Sequence, residues 1–136
     1  MKQTYQIIPV GVVHKNKDQT EIEIYPEFSR ALLGLDTFSH IVVLYWFHKN
    51  DTPEKRSTLQ VHPRKNKKNP LTGVFGTHSP ARPNPIAMTL CKIRDIQSNR
   101  IRIADIDAFD GSPVIDIKAF IPDKAARSDL KLPDWV

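Results

Sequence analysis

Eleven prolines are spread through the 136 residues of this sequence, against only five glycines. Each proline fixes φ at about −65° and removes a backbone donor. Long regular helices are therefore excluded over most of the chain, and a mainly β fold with stiffened connections is expected. The length suits one domain spanning residues 1–136, and 40% hydrophobic residues suffice for one modest core.

Gln6 to Val13 reads as an opening strand, and Glu21 to Tyr25 alternates charged with apolar side chains as a half-exposed strand does. The polar stretch Lys15 to Gln19 joins them as a hairpin. Pro26 and Glu27, followed by Phe28, Ala31, Leu32 and Leu35 at i, i+3, i+4 and i+7, predict one short helix ended by Gly34. Ile41 to Phe47 is a continuous β-branched and aromatic run, which predicts a central strand buried on both faces. Its abrupt polar exit at His48-Lys49-Asn50-Asp51 is a natural place for a site. Thr52 to Thr72 is polar, basic and proline-containing, which reads as a long exposed loop of the kind that either binds something or is disordered.

Ile86 to Ile93 alternates as a strand, with Ala87, Thr89, Cys91 and Ile93 on one face and Ile86, Met88 and Leu90 on the other. Arg100 to Ile103 alternates too, and the phase slip at Ala104 to Ile106 predicts a bulge or bend. Asp110-Gly111 is a turn signal before a final strand over Ile115 to Ile121. The tail from Lys124 to Val136 has room for one helical turn, docked by Trp135.

Two segments are chemically unusual. In Phe75-Gly76-Thr77-His78-Ser79-Pro80-Ala81-Arg82-Pro83-Asn84-Pro85, each proline pushes the preceding residue to extended backbone, so Ser79, Arg82 and Asn84 have little freedom. Such a segment is either a stiff connection between strands or a preorganised ligand contact. Around Asp110-Gly111-Ser112-Pro113, a tight turn exposes a carboxylate and amides that could grip hydroxyl or amine groups; as an ordinary turn it would do nothing more. Arg64, Lys65, Lys67 and Lys68 could face phosphates or simply be solvated.

Several classes are excluded or disfavoured. The longest apolar run is Ile41 to Phe47, short of the roughly 20 residues of a spanning helix, so no membrane partner is expected. Pro9 interrupts the early apolar stretch, which has no cleavage site after it, so a secretory signal is not expected. The single cysteine, Cys91, suits a reducing, cytoplasmic setting. Five histidines lack metal-ligand spacing, so no metal is expected. There is no P-loop and no G-x-G-x-x-G. The formal charge of +5 permits a nucleic-acid partner without requiring one.

Taken together, Phe38-Ser39-His40-Ile41 before a strand ending at His48, the string G-V-F-G-T-H-S-P-A-R-P-N-P-I-A-M-T-L from Gly73 to Leu90, and D-G-S-P-V-I-D-I-K from Asp110 to Lys118 form a distinctive order. The combination resembles the TsaA-like domain of TrmO-type tRNA methyltransferases. That resemblance implies a single compact β-barrel with one short helix and long loops, binding S-adenosyl-L-methionine, acting on tRNA and pairing as a homodimer. The methyl acceptor it implies is the exocyclic nitrogen of N6-threonylcarbamoyladenosine beside the anticodon.

Carried over by position, the resemblance makes His48, Lys49, His78, Leu90 and Asp110-Gly111-Ser112-Pro113 cofactor contacts. This chain departs from the family pattern at His78 for arginine, Lys49 for glutamine and Ala87 for glycine, and Val13 to Ile24 is too short for the family's Pro-Arg-Gln segment. The C-terminal extension of longer members also has no counterpart in the sequence. Methyl transfer from a sulfonium is an in-line displacement that needs alignment rather than a covalent nucleophile. Asp110 and His48 are the candidates for proton acceptance, with Arg64, Lys65, Lys67 and Lys68 facing tRNA and Arg82 and Asn84 facing tRNA or the cofactor carboxylate. Two other functions fit the residues: a cofactor-binding barrel that does not methylate tRNA, and a basic barrel that binds RNA without chemistry.

Overall fold

A computed structural model describes residues 2–123 and 128–136. Eight strands follow in chain order: β1 (Gly11–Lys15), β2 (Thr20–Ile24), β3 (His40–Trp46), β4 (Gln60–Val61), β5 (Thr72–Gly73), β6 (Ile86–Gln97), β7 (Arg100–Ile103) and β8 (Pro113–Ala119). The chain divides into two compact units, Met1–His48 with Ile86–Phe120 and Lys49–Pro85 with Ile121–Val136.

The first unit is a closed antiparallel barrel in the order β1-β2-β7-β6-β3-β8. Closure removes the sheet edges that would otherwise expose unpaired amides. Alternation sends Val13, Ile22, Ile41, Val43, Ile101 and Val114 into a core with no solvent exposure. Against this inward face pack Phe28, Leu32 and Leu35 from the connection between β2 and β3. The helix expected there is a 3-10 helix, Pro26–Leu32, followed by a second 3-10 turn at Leu35–Thr37. Its bonds close over three residues, Phe28 N–H to the Tyr25 carbonyl at 2.9 Å, and Ala31 is left exposed.

Other expectations are corrected by the pairing. The opening strand begins at Gly11, because Pro9 cannot donate to a ladder and Tyr5, Ile7 and Ile8 lie exposed. β3 is central, paired on both edges, but only alternate residues are fully buried. Its outer side, Val42, Leu44 and Trp46, is half-buried rather than sealed. β6 is longer than expected and switches partner, pairing with β3 up to Lys92 and with β7 from Ile93. The irregularity expected over Ala104 to Ile106 is present as a bend at Ala104, and a register shift on the partner strand β6 falls between Ile93 and Asp95.

The second unit contains structure where a long loop was expected. A short helix, α1 (Pro53–Ser57), is capped by the Thr52 hydroxyl, which accepts the Lys55 N–H at 3.1 Å. β4 and β5 pair antiparallel, Gln60 with Gly73 and Val61 with Thr72. The tip between them is cross-braced: His62 Nδ1 donates to the Asn69 carbonyl and Asn69 Nδ2 to the Pro63 carbonyl, each at 2.8 Å. The helical turn expected in the tail falls partly on residues 124–127, outside the described residues; Trp135 is half-buried. No described helix is long and apolar enough to cross a membrane.

Candidate functional site

One rim of the barrel collects His48 and Asp110 to Pro113, the candidate residues of the first unit other than Leu90. β1 and β3 run out at this rim, and β6 and β8 run in, as the register pairs Tyr45 with Val114 and Trp46 with Ile86. His48 leaves β3 and Asp110-Gly111-Ser112-Pro113 enters β8 on neighbouring strands.

The Asp110 to Pro113 turn is fixed by the end of β1. Gly111 takes φ +85°, a left-handed conformation that favours glycine, and its N–H donates to the Val13 carbonyl at 2.8 Å. The Val13 N–H returns a bond to the Ser112 carbonyl at 2.9 Å. Ser112 is 2% exposed and its hydroxyl donates to the Phe109 carbonyl at 2.7 Å, so it shapes the turn from inside. Asp110 is exposed, and its Oδ1 accepts the Lys15 N–H at 2.8 Å. A carboxylate has acceptor capacity on both oxygens, which leaves Oδ2 for a hydroxyl or an amine.

Two residues that the sequence did not single out hold this region. Lys15 Nζ donates to the carbonyls of Ile106 at 2.6 Å and Ala108 at 3.4 Å, and lies 3.6 Å from the Asp105 carboxylate. Tyr45, 3% exposed, donates its hydroxyl to the Asp107 carbonyl and shares a hydrogen bond with the Thr89 hydroxyl at 3.0 Å. Burial, then the charge of Asp107, pushes the phenol up, with the Thr89 bond opposing, so it remains a donor. A lysine ending a strand and a tyrosine in an apolar run carry no sequence signal for this task.

His48 supplies an atom with nothing to bond. Its N–H donates to the Trp46 carbonyl at 2.8 Å, but its Nδ1 is buried and has no hydrogen-bond partner among the described residues. Leaving such a group unsatisfied costs about 1–3 kcal/mol, which a ligand polar atom would recover. Leu90 is elsewhere. It lies on the outer wall of β6, 51% exposed, opposite Val42. Four residues beyond Ile86, it is about 13 Å along the strand from the rim.

The remaining candidates belong to the second unit. Lys49 is its first residue. His78 and Asn84 are exposed. Arg82 Nη1 donates to the carbonyls of Thr77 at 3.1 Å and Ser79 at 3.0 Å, stapling the proline segment. Arg64, Lys65, Lys67 and Lys68 are all exposed on the braced tip, with Arg64 and Lys65 in left-handed conformations at φ 59° and 56°. Segment 49–85 carries eight basic against two acidic side chains, whereas Met1–His48 with Ile86–Phe120 carries nine against ten. The basic excess of the chain thus sits outside the barrel unit.

Comparison with known proteins bears on the chain as a whole. Residues 3–125 match the tRNA-methyltransferase O N-terminal domain. A probable S-adenosyl-L-methionine-binding protein of Methanocaldococcus jannaschii is 51% identical over 116 residues, covering 85% of this chain and 92% of the relative. A tRNA (adenine(37)-N6)-methyltransferase of Mus musculus is 40% identical over 109 residues, 80% of this chain but 25% of that protein. A crystal structure of TrmO from Pseudomonas aeruginosa superimposes with a TM-score of 0.74 at 25% identity, covering 99% of this chain and 63% of that chain. The chain therefore spans under two thirds of that solved protein and about a quarter of the mouse enzyme.

Proposed function

The chain belongs to the family of the tRNA-methyltransferase O N-terminal domain, and from that premise we propose that it binds S-adenosyl-L-methionine and methylates tRNA. The acceptor we propose is the exocyclic nitrogen of N6-threonylcarbamoyladenosine beside the anticodon. The observation that carries the cofactor reading is the rim, where an unsatisfied His48 Nδ1 and a rigid Asp-Gly-Ser-Pro turn stand on neighbouring strands. Their donor set fits the cofactor: imidazole, carboxylate and backbone groups can meet the hydroxyls and charged ends of a nucleoside-linked amino acid. For Lys49 and His78 the assignment rests on the resemblance alone.

When bound, S-adenosyl-L-methionine supplies an electrophilic methyl group. The residues of the chain have the tasks of alignment and proton acceptance. Asp110 Oδ2 and the His48 imidazole are the groups available at the rim to accept the proton that the acceptor nitrogen loses. Lys15 and Tyr45 keep Asp110 in place by fixing the backbone that precedes it, at Ile106 to Ala108, while the Lys15 N–H holds its carboxylate and Val13 pins Gly111 and Ser112 after it. Arg64, Lys65, Lys67, Lys68, Arg82 and Asn84 are the proposed tRNA-facing set, supported by the charge excess of segment 49–85.

A homodimer completes this reading. Leu90 is proposed as a cofactor contact, yet it stands on an apolar outer wall with Ile86 and Met88, 37% and 58% exposed. Pairing of two copies through this wall would cover those side chains and bring Leu90 of one copy to the cofactor of the other. Light scattering on the chain and on Met88→Glu tests it, the expected result being a dimer that the substitution dissociates. A monomeric unsubstituted chain would refute it.

A second reading keeps the cofactor and drops tRNA methylation. It is favoured by the archaeal relative of nearly equal length being called a probable S-adenosyl-L-methionine-binding protein. Incubating the chain with threonylcarbamoylated tRNA and deuteromethyl-labelled cofactor, then weighing the released nucleosides, separates the two. A labelled methyl on the modified adenosine is expected; cofactor binding with no label transferred would establish the second reading.

A further inference from the structure

Phe75 is 84% exposed, yet the backbone on both sides of it is pinned. It occupies the middle of the 3-10 turn Val74–Gly76. Val74, 3% exposed, donates its N–H to the Leu59 carbonyl at 2.9 Å. Thr77, 9% exposed, donates its N–H and its hydroxyl to the Val74 carbonyl at 3.1 and 2.8 Å, and its oxygen accepts the Ser79 N–H at 3.1 Å. Buried neighbours and closed hydrogen bonds thus hold the phenyl ring out in water. A scattered exposed hydrophobe needs no explanation. A ring fixed outward beside a fixed cationic loop is a different matter.

The loop is Pro63 to Pro70, in the same unit. It presents Arg64, Lys65, Lys67 and Lys68 to solvent and is locked by the His62–Asn69 and Asn69–Pro63 bonds. Two consecutive non-glycine residues at φ 59° and 56° are strained, and such strain persists only where the surroundings enforce it. Phe75 follows Pro70 by five residues, so at most about 17 Å of extended chain separates the ring from the loop. Cations that track phosphates and an aromatic face on which a base stacks are the two parts of single-strand recognition. Bases in a duplex are already stacked and cannot use the ring, whereas those of a loop can.

We propose that Phe75 is a stacking platform for an unpaired base of an RNA whose phosphates lie along Arg64, Lys65, Lys67 and Lys68. This rests on the tRNA reading above, whose acceptor beside the anticodon lies in an unpaired loop, and adds the side chain on which a base of that loop would stack. Another protein molecule is the rival occupant of an exposed ring, but the basic excess around it favours a polyanion and disfavours a second copy of the same surface.

Fluorescence anisotropy of the full chain tests this, using an RNA hairpin with an unpaired loop and a blunt RNA duplex at one salt concentration. Phe75→Leu keeps an apolar side chain and loses the ring; Phe75→Tyr keeps the ring. Phe75→Leu should weaken hairpin binding about tenfold and leave duplex binding unchanged, while Phe75→Tyr binds both as before. Equal hairpin affinity for Phe75→Leu and the unsubstituted chain would overturn the inference alone. So would a change in sedimentation without a change in RNA affinity, which would assign the ring to a protein partner. Absence of binding to either RNA by the unsubstituted chain would overturn the tRNA reading and this inference with it.

Discussion

Gly11 shows how one small residue sets a strand. A Cβ at this position would sit 2.2 Å from the Glu23 carbonyl oxygen of the paired strand, which is backbone and cannot swing aside. Gly11→Ala should therefore lower stability by about 1–3 kcal/mol through overpacking, read as a drop in urea midpoint with the slope retained. An unchanged midpoint would mean that β1 and β2 separate freely there. Cys91 behaves as a core side chain. Burial, then the charge of Asp105, pushes its thiol up from 9.0 to about 11. The folded chain keeps the proton to higher pH than the unfolded chain does. The stabilising contribution is therefore complete below pH 9 and is lost as pH rises through about 11. Urea midpoints measured from about pH 8 to about pH 10.5 should fall less for Cys91→Ala than for the unsubstituted chain. Identical slopes would place the thiol in solvent. Neither effect could be read from the sequence, since the glycine there looks like any other and a lone cysteine gives no hint of its depth.

At the scale of elements, periodicity located the barrel strands well and their ends poorly, and it missed β4 and β5, whose two residues each are too short to alternate. β6 shows why: alternation continues through Ala87, Thr89 and Cys91, but its switch from β3 to β7 depends on partners far away in the chain. The 3-10 form of Pro26–Leu32 was hidden for the same reason, because the apolar spacing that suits an α-helix also lets Phe28 and Leu32 reach the barrel core from a tighter turn. Asp110-Gly111 was legible as a turn; that Lys15 and Tyr45 fix it was not, because hydrogen bonds to carbonyls leave no mark in side-chain pattern. Tyr45→Phe removes the donor to the Asp107 carbonyl and should cost about 1–2 kcal/mol of stability. It should also weaken cofactor binding more than a surface substitution of equal stability cost, by calorimetry. Equal weakening in both variants would reduce Tyr45 to a core residue.

Across the whole molecule, charge and chemistry are divided between segments. The composition gave +5 without saying where it sits, and the structure locates the excess in segment 49–85 outside the barrel unit. If that excess meets tRNA phosphates, replacing Arg64, Lys65, Lys67 and Lys68 together should flatten the dependence of log affinity on log salt by about 0.7–0.9 per lost contact. A salt slope that ignores all four would move the RNA surface elsewhere. The family resemblance was legible because its longest strings coincide with the pinned proline segment and the Asp-Gly-Ser-Pro turn, places where backbone geometry restricts what residues fit. The reading as a whole stands on the barrel rim holding S-adenosyl-L-methionine. Calorimetric titration of the cofactor into the full chain, repeated with His48→Ala and Asp110→Ala variants of native circular dichroism, tests this most directly. Saturable binding to the unsubstituted chain, lost or at least tenfold weaker in both variants, is predicted. No heat of binding, or equal affinity in all three proteins, would contradict it.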